Sequence, residues 1–169
     1  DNRMKELVTG LAGRTDLAPG SDEAKIADAY RAYMDEARIE QLDAQPLQPY
    51  LAAIRAADSH EKLAAYMGQT VGRFGGSFFG TGITIDAKQP TRYVVSTGQS
   101  GIGLPNRDYY LDARYADKKE KYQAYVADML GMIGWANPAE TAAAIVALET
   151  QIAEAHWTPI QNRNRDETY

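Results

Sequence analysis

His60-Glu61-Lys62-Leu63-Ala64 opens as a zinc-binding His-Glu-x-x-His helix opens, so metal-assisted hydrolysis is the first chemistry to test against this chain. Such a helix needs histidines at i and i+4, so that both rings face one ion, with the glutamate as general base. Here the fifth position is Ala64, and the only other histidine, His156, lies far along the chain. His60 therefore reads as a surface helix residue, and the sequence offers no metal ligands. Nucleophilic catalysis has as little material. There is no Gly-x-Ser-x-Gly elbow, no cysteine, and no His-centred pair of the kind that activates a hydroxyl.

Three further groups of residues bear on binding. Gly98, Gly101 and Gly103 lie in a loop, but no Gly-Lys-Ser/Thr follows them, and Pro105 removes a backbone donor that a phosphate cradle would use. A structural loop is the expected reading. Arg107-Asp108 and Arg163/Arg165/Asp166 could grip a substrate carboxylate through the planar guanidinium fork, or could anchor loops to helices through caps and ion pairs. The anchoring role is expected. Tyrosines at 109, 110, 122 and 125 are expected in an aromatic-rich helical core with hydroxyls at its edge. The site assignment is therefore empty: no catalytic, cofactor-binding or metal-ligating residue is expected.

Composition narrows the classes. The 169 residues include 18 basic and 23 acidic side chains, for a net charge of −5, and 44% are hydrophobic. That supports a buried core in one domain of ordinary size. With Lys118-Lys119 the longest basic run, no face is suited to nucleic acid. No apolar run reaches the ~18 residues of a membrane span. The absence of cysteine excludes disulfides and thiolate chemistry.

The elements that must carry these residues are mostly helical. Met4, Leu7, Val8 and Leu11 have helical spacing over residues 3–12. A turn over 16–20 follows, then Ser21 as N-cap of a helix with Asp22 and Glu23 in its first turn, running to about Leu42. Pro46 starts a short helix, and Asp58 with Glu61 forms the capping box of another ending near Gly72. From Arg73 onward glycines alternate with Phe74, Phe78 and Phe79. Ile83–Asp86, a turn over 86–90 and Arg92–Thr97 then predict a β-hairpin. Helical spacing returns over 114–134. Asn137, Pro138 and Glu140 supply cap, first position and box for a helix ending near His156. The fold class is mainly α, a multi-helix domain with a small β-hairpin insertion near residues 82–98. Residues 1–169 are read as a single domain.

The segment Gly98–Tyr110, GQSGIGLPNRDYY, closely resembles the Q-x-G-L-G-L-P-x-R-D-Y-Y signature of the neprilysin and endothelin-converting-enzyme family of zinc metallopeptidases. Ala29–Glu36 resembles the family's Tyr-x-x-Cys-Met-x-Glu helix, with Tyr33 where disulfide-bonded animal members carry Cys, as in a bacterial-type member. Gln45-Pro46-Leu47 resembles the Gly-x-x-Pro-Leu helix start, and Phe78-Phe79-Gly80 with the hairpin resembles the approach to the signature. Leu148–Ala155 resembles Leu-Glu-x-x-Ile-Ala, and Arg163–Tyr169 resembles Arg-Asp-x-x-x-Tyr-Asn. Ile102 stands for the usual Leu.

The resemblance implies the N-terminal, non-catalytic portion of a two-lobed enzyme, a helical lobe that shapes and restricts a chamber for small peptides. It implies that the parent hydrolyses peptide bonds with zinc as cofactor, in an extracytoplasmic (periplasmic or secreted) location. The partners it implies are the C-terminal catalytic lobe of the same polypeptide and small peptide substrates. The family's catalytic and zinc residues lie downstream of such a segment, so this chain is expected to bind no zinc and to be inactive by itself. Both ends read as cuts through a longer polypeptide, and an apolar patch is expected where the other lobe packed. The alternative is a stand-alone helical binding or adaptor module derived from the same fold without catalysis.

Overall fold

The computed structural model describes residues 2–70 and 77–169 and is mainly α, with one antiparallel hairpin. Contacts divide the chain into two compact units, Asp1–Gln48 and Pro49–Tyr169.

In the first unit, α1 (Asn2–Ala12) packs against α2 (Asp22–Met34). Ser21 caps α2 as its sequence suggests: its Oγ accepts from the Ala24 N–H at 3.1 Å. Ala24 and Ala27 are the buried residues of α2, and small side chains allow the close approach. Arg31 reaches back to donate to the Ala12 carbonyl at 2.9 Å, satisfying an orphan acceptor at the end of α1. The predicted stripe of α1 is only partly covered, with Val8 and Leu11 half-buried and Met4 and Leu7 exposed.

The helix expected to run to Leu42 is in fact two. Asp35 leaves the helical region (φ −82°, ψ 71°), and its carboxylate accepts from the Arg38 N–H at 3.0 Å, capping α3 (Glu36–Leu42). An aspartate followed by Glu36 favours a new N-terminus over continuation, because the carboxylate competes for free backbone donors. The start expected at Pro46 is a single 3₁₀ turn, Gln45–Leu47.

The second unit begins at the second residue of α4 (Gln48–Ala56), which α5 (His60–Thr70) follows. The predicted capping box here shifts by one residue. Ser59 Oγ accepts from the Lys62 N–H at 3.2 Å, while Asp58 pairs with Lys62 Nζ at 2.6 Å. The expected end near Gly72 and the glycine–phenylalanine alternation over 73–76 fall outside the described residues. Next come β1 (Phe79–Ile85) and β2 (Tyr93–Gln99), in register Ile83↔Val95 and Ile85↔Tyr93. The hairpin is where the alternation predicts it, extended at its start to Phe79.

Beyond it lie α6 (Asp108–Leu111), a 3₁₀ turn at Ala113–Tyr115, α7 (Ala116–Met132) and α8 (Pro138–Ala155). These three helices pack together, burying Tyr110, Ala142, Val146 and Ala153. Gly134, at φ +67°, ends α7 in a Schellman-type turn, with the Trp135 N–H on the Leu130 carbonyl at 2.9 Å. Arg55 of α4 stacks over the Trp135 ring, 4.8 Å from its centroid.

Asn137 precedes α8 as expected but forms no capping box. It sits in the left-handed region (φ 49°, ψ 56°) without a side-chain cap bond. Pro138 at the first helical position already removes one donor that a cap would serve, and asparagine tolerates that conformation.

Candidate functional site

Within the signature segment four hydrogen bonds meet at Tyr110. Tyr110 lies in α6 with 5% of its surface exposed. Its hydroxyl accepts from the Gly103 and Leu104 N–H groups at 3.0 and 2.9 Å and donates to Glu149 Oε2 at 2.7 Å. Tyr122 of α7 donates to the other carboxylate oxygen, Glu149 Oε1, at 3.0 Å. One glutamate on α8 thus ties α6, α7 and the loop over 100–105 together. Burial and the Glu149 carboxylate both disfavour phenolate, so Tyr110 is pushed well above the ordinary tyrosine range and Tyr122 up to about 12. Neither phenol is poised as an acid or base near neutrality.

The two inner glycines are required by this geometry. Gly101 has φ +85°, and a Cβ there would stand 3.0 Å from the Phe78 Cα. A Cβ on Gly103 would overlap the Tyr122 hydroxyl. The loop is pressed so closely onto α7 that only hydrogen fits.

Its remaining polar groups are engaged by the end of α8. Arg107 Nε donates to the Ala153 carbonyl at 3.2 Å, a cation on the negative end of that helix. Asn106 Oδ1 accepts from the Asp108 N–H at 2.9 Å, opening α6. His156 Nε2 donates to the Ser100 carbonyl at 3.1 Å, which requires the Nε2–H tautomer. The Gln99 amide clasps the Trp157 backbone, its Oε1 accepting from the Trp157 N–H and its Nε2 donating to the Trp157 carbonyl at 3.4 Å. Lys119 Nζ donates to the Tyr110 carbonyl at 3.1 Å, and the Tyr109 and Tyr115 rings stack with centroids 4.3 Å apart. Loop residues Gln99–Arg107 and the chain from His156 to Asn162 line a polar cavity of about 280 Å³.

A second cluster forms at the hairpin turn. Asp86 has no solvent exposure. Its carboxylate accepts from the Lys88 and Gln89 N–H groups (2.8 and 3.1 Å), from Arg92 Nε and Nη2 (both 2.7 Å), and from the Tyr169 hydroxyl (2.8 and 3.0 Å). Burial pushes its pKa up, but these donors outweigh it and hold the carboxyl down at about 2.

Set against the sequence-predicted residues, the placement is uneven. His60 is exposed on α5 and His156 is half-buried against Ser100, so the two histidines serve separate places. Among the described residues no group of three His, Cys, Asp or Glu could hold a metal ion. Arg107-Asp108 anchors its loop to α8 and opens α6. Asp166 pairs with Lys88 at 3.5 Å, and among the described residues no bond joins the 163–166 cluster to Arg107 or Asp108. Tyr110 and Tyr122 fit the expected aromatic core with hydroxyl edges, whereas Tyr33, Tyr93 and Tyr125 are exposed. Glu149 and Asp86 were not singled out from sequence as site residues. Glu149 did carry a signal: it shares the stripe Ala142, Val146, Ala153 at core spacing, and a carboxylate there demands donors.

The model of peptidase family M13 matches residues 1–169. Endothelin-converting enzyme 1 of Cavia porcellus is 30% identical over 95% of this chain, and the Homo sapiens protein is 29% identical over 95%. The zinc metalloprotease ZMP1 of Mycobacterium tuberculosis in its open state superposes with a TM-score of 0.84 at 36% identity over 98% of this chain. The same enzyme in complex with an inhibitor gives 0.84 at 34%. The chain spans 22% of the length of those curated relatives and 25–26% of the ZMP1 chains. With its whole described length matched in sequence and in fold, the chain belongs to peptidase family M13, of which it forms an N-terminal portion.

Proposed function

We propose that this chain is the N-terminal helical portion of a zinc-dependent metallopeptidase acting on small peptides. In that reading it shapes and restricts the substrate chamber and is inactive by itself. The observation that carries the proposal is the use to which the family signature is put. Its tyrosine, arginine and asparagine are engaged by Glu149, the end of α8 and the loop backbone, which is the work of a scaffold. Zinc and the acid–base groups then belong to the remainder of the parent; this chain covers 25–26% of the similar zinc metalloprotease chains. An extracytoplasmic location belongs to the same reading; among the described residues no helix is long and apolar enough to cross a membrane.

The test is peptide hydrolysis by the full-length parent and by the 169-residue chain under identical conditions. The parent should cleave a short quenched peptide, lose activity to a zinc chelator and regain it with Zn²⁺, while the chain alone should be inert. Chelator-sensitive cleavage by the chain alone would defeat the proposal. So would a parent with no activity at all, which would favour a binding module.

A further inference from the structure

Of the four most exposed large apolar side chains among the described residues of the second unit, three, Ile83, Tyr93 and Val95, lie on the hairpin. Strand alternation and the register Ile83↔Val95, Ile85↔Tyr93 place Phe79, Ile83, Ile85, Tyr93 and Val95 on one face. Ile83, Tyr93 and Val95 are 78%, 74% and 75% exposed. The opposite face carries Gly80, Gly82, Thr84, Val94, Ser96 and Gly98, of which Val94 alone is a large apolar residue and is half-buried, so the exposed apolar side chains lie on one face. A two-stranded ribbon is marginal in water without a third strand or a packed layer, and aromatic and β-branched cross-strand pairs gain from cover. An apolar face of this kind marks an interaction surface.

The position of Tyr169 indicates what covers it. Its hydroxyl is bonded to Asp86 at the turn between β1 and β2, and Lys88 Nζ sits over its ring, 4.3 Å from the centroid. Arg165, Thr168 and Tyr169 line a groove of about 540 Å³ with residues of both hairpin faces, Thr84, Val94 and Ser96 of one and Ile85, Val95 and Thr97 of the other, so the described chain ends along the hairpin edge. Polypeptide following Tyr169 would leave from the hairpin itself. A tethered segment of that kind faces this surface at an effective concentration of order mM. A second copy of the chain at micromolar concentration could not compete with it. The mycobacterial relatives are long enough to supply the segment, since this chain covers 25–26% of theirs.

We propose that the apolar face of the β1–β2 hairpin is the docking surface for the polypeptide that follows Tyr169 in the full-length protein. The proposal rests on the reading that this chain is a portion of a longer family M13 peptidase.

Hydrogen exchange over residues 79–99 tests it, measured in the full-length parent and in the 169-residue chain. Amides of the hairpin should exchange at least ~100-fold more slowly in the parent. Equal exchange in both would overturn the proposal. The double substitution Ile83→Thr with Val95→Thr keeps β-branching while removing the apolar surface. It should lower the parent's melting temperature by about 5 °C or more and leave the 169-residue chain's nearly unchanged. Equal losses in both proteins would overturn it as well. Self-association of the 169-residue chain that the double substitution abolishes, with no added protection in the parent, would assign the face to a second copy instead. The two readings fail separately. A chelator-sensitive parent with an unprotected hairpin sinks the docking surface alone, and an inert parent with a protected hairpin sinks the peptidase reading alone.

Discussion

The Tyr110 hydroxyl lies 2.7 Å from Glu149 Oε2 while accepting two loop N–H groups, so a single phenol joins α6, α8 and the signature loop. Its one proton and its acceptor capacity are all in use. Beside it, Tyr122 occupies the second oxygen of the same carboxylate. Removing any member leaves a partner without a bond in a half-buried setting, which costs more than the bond itself contributes.

Tyr110→Phe should therefore destabilise the chain by about 2–3 kcal/mol, a fall in melting temperature of about 5–10 °C. Glu149→Leu should cost about as much, because two hydroxyl donors lose their acceptor. Glu149→Gln keeps one acceptor oxygen and should cost only about 1 kcal/mol. Thermal unfolding of the three variants checks the order. A Tyr110→Phe variant as stable as the native chain would show that the clamp does not hold the fold.

The same cluster sets an alkaline limit. Tyr122 is raised to about 12 and Tyr110 further, by burial first and by Glu149 second. A raised folded pKa means that the contribution is complete below the ordinary tyrosine value of 10.0 and disappears as pH climbs through the folded value. Stability should fall from about pH 10 to pH 12 and above. Of the 11 tyrosines, Tyr110 and Tyr122 should ionise late in a phenolate absorbance titration. In Glu149→Gln the lag should shrink without vanishing, since burial persists. An unchanged titration in that variant would remove Glu149 as a cause.

Gly103→Ala is expected to unseat the loop from α7, since the new methyl would overlap the Tyr122 hydroxyl. A loss of about 1–3 kcal/mol should follow. Combining it with Tyr122→Phe should restore part of the loss, because the obstructing oxygen is then absent. Gly101→Ala has no such rescue, as its strain comes from φ +85° and the Phe78 backbone. Denaturant unfolding of the two single variants and the double variant distinguishes a steric cause from a conformational one.

Asp86 predicts an acid limit of the opposite sign. Its carboxyl is held at about 2, so its contribution is complete above the ordinary value of 3.8 and is lost as pH falls from there toward 2. Asp86→Asn should be less stable than the native chain at pH 7, and the two should converge near pH 2. Tyr169→Phe, lacking the hydroxyl that reaches Asp86, should move part of the way. Parallel stability curves for the native chain and Asp86→Asn between pH 5 and 2 would dismiss the carboxylate as the cause.

Periodicity and local chemistry along the chain determined most of the elements. Ser21 capping α2, Pro138 opening α8, and the alternation that builds β1 and β2 all depend on near neighbours, and so did the family signature at Gly98–Tyr110. Local rules failed where two of them competed. Asp35 could continue α2 or cap a new helix, Ser59 and Asp58 could each cap α5, and Asn137 could cap α8 or turn left-handed before Pro138. Tertiary structure alone decided which polar groups meet. Glu149 bonds to Tyr110 across 39 residues and Tyr169 to Asp86 across 83, and no spacing within a helix or strand encodes such separations. The stripe on α8 showed that a buried carboxylate needed donors. Only the packing of α6, α7 and α8 determined that two tyrosines would supply them.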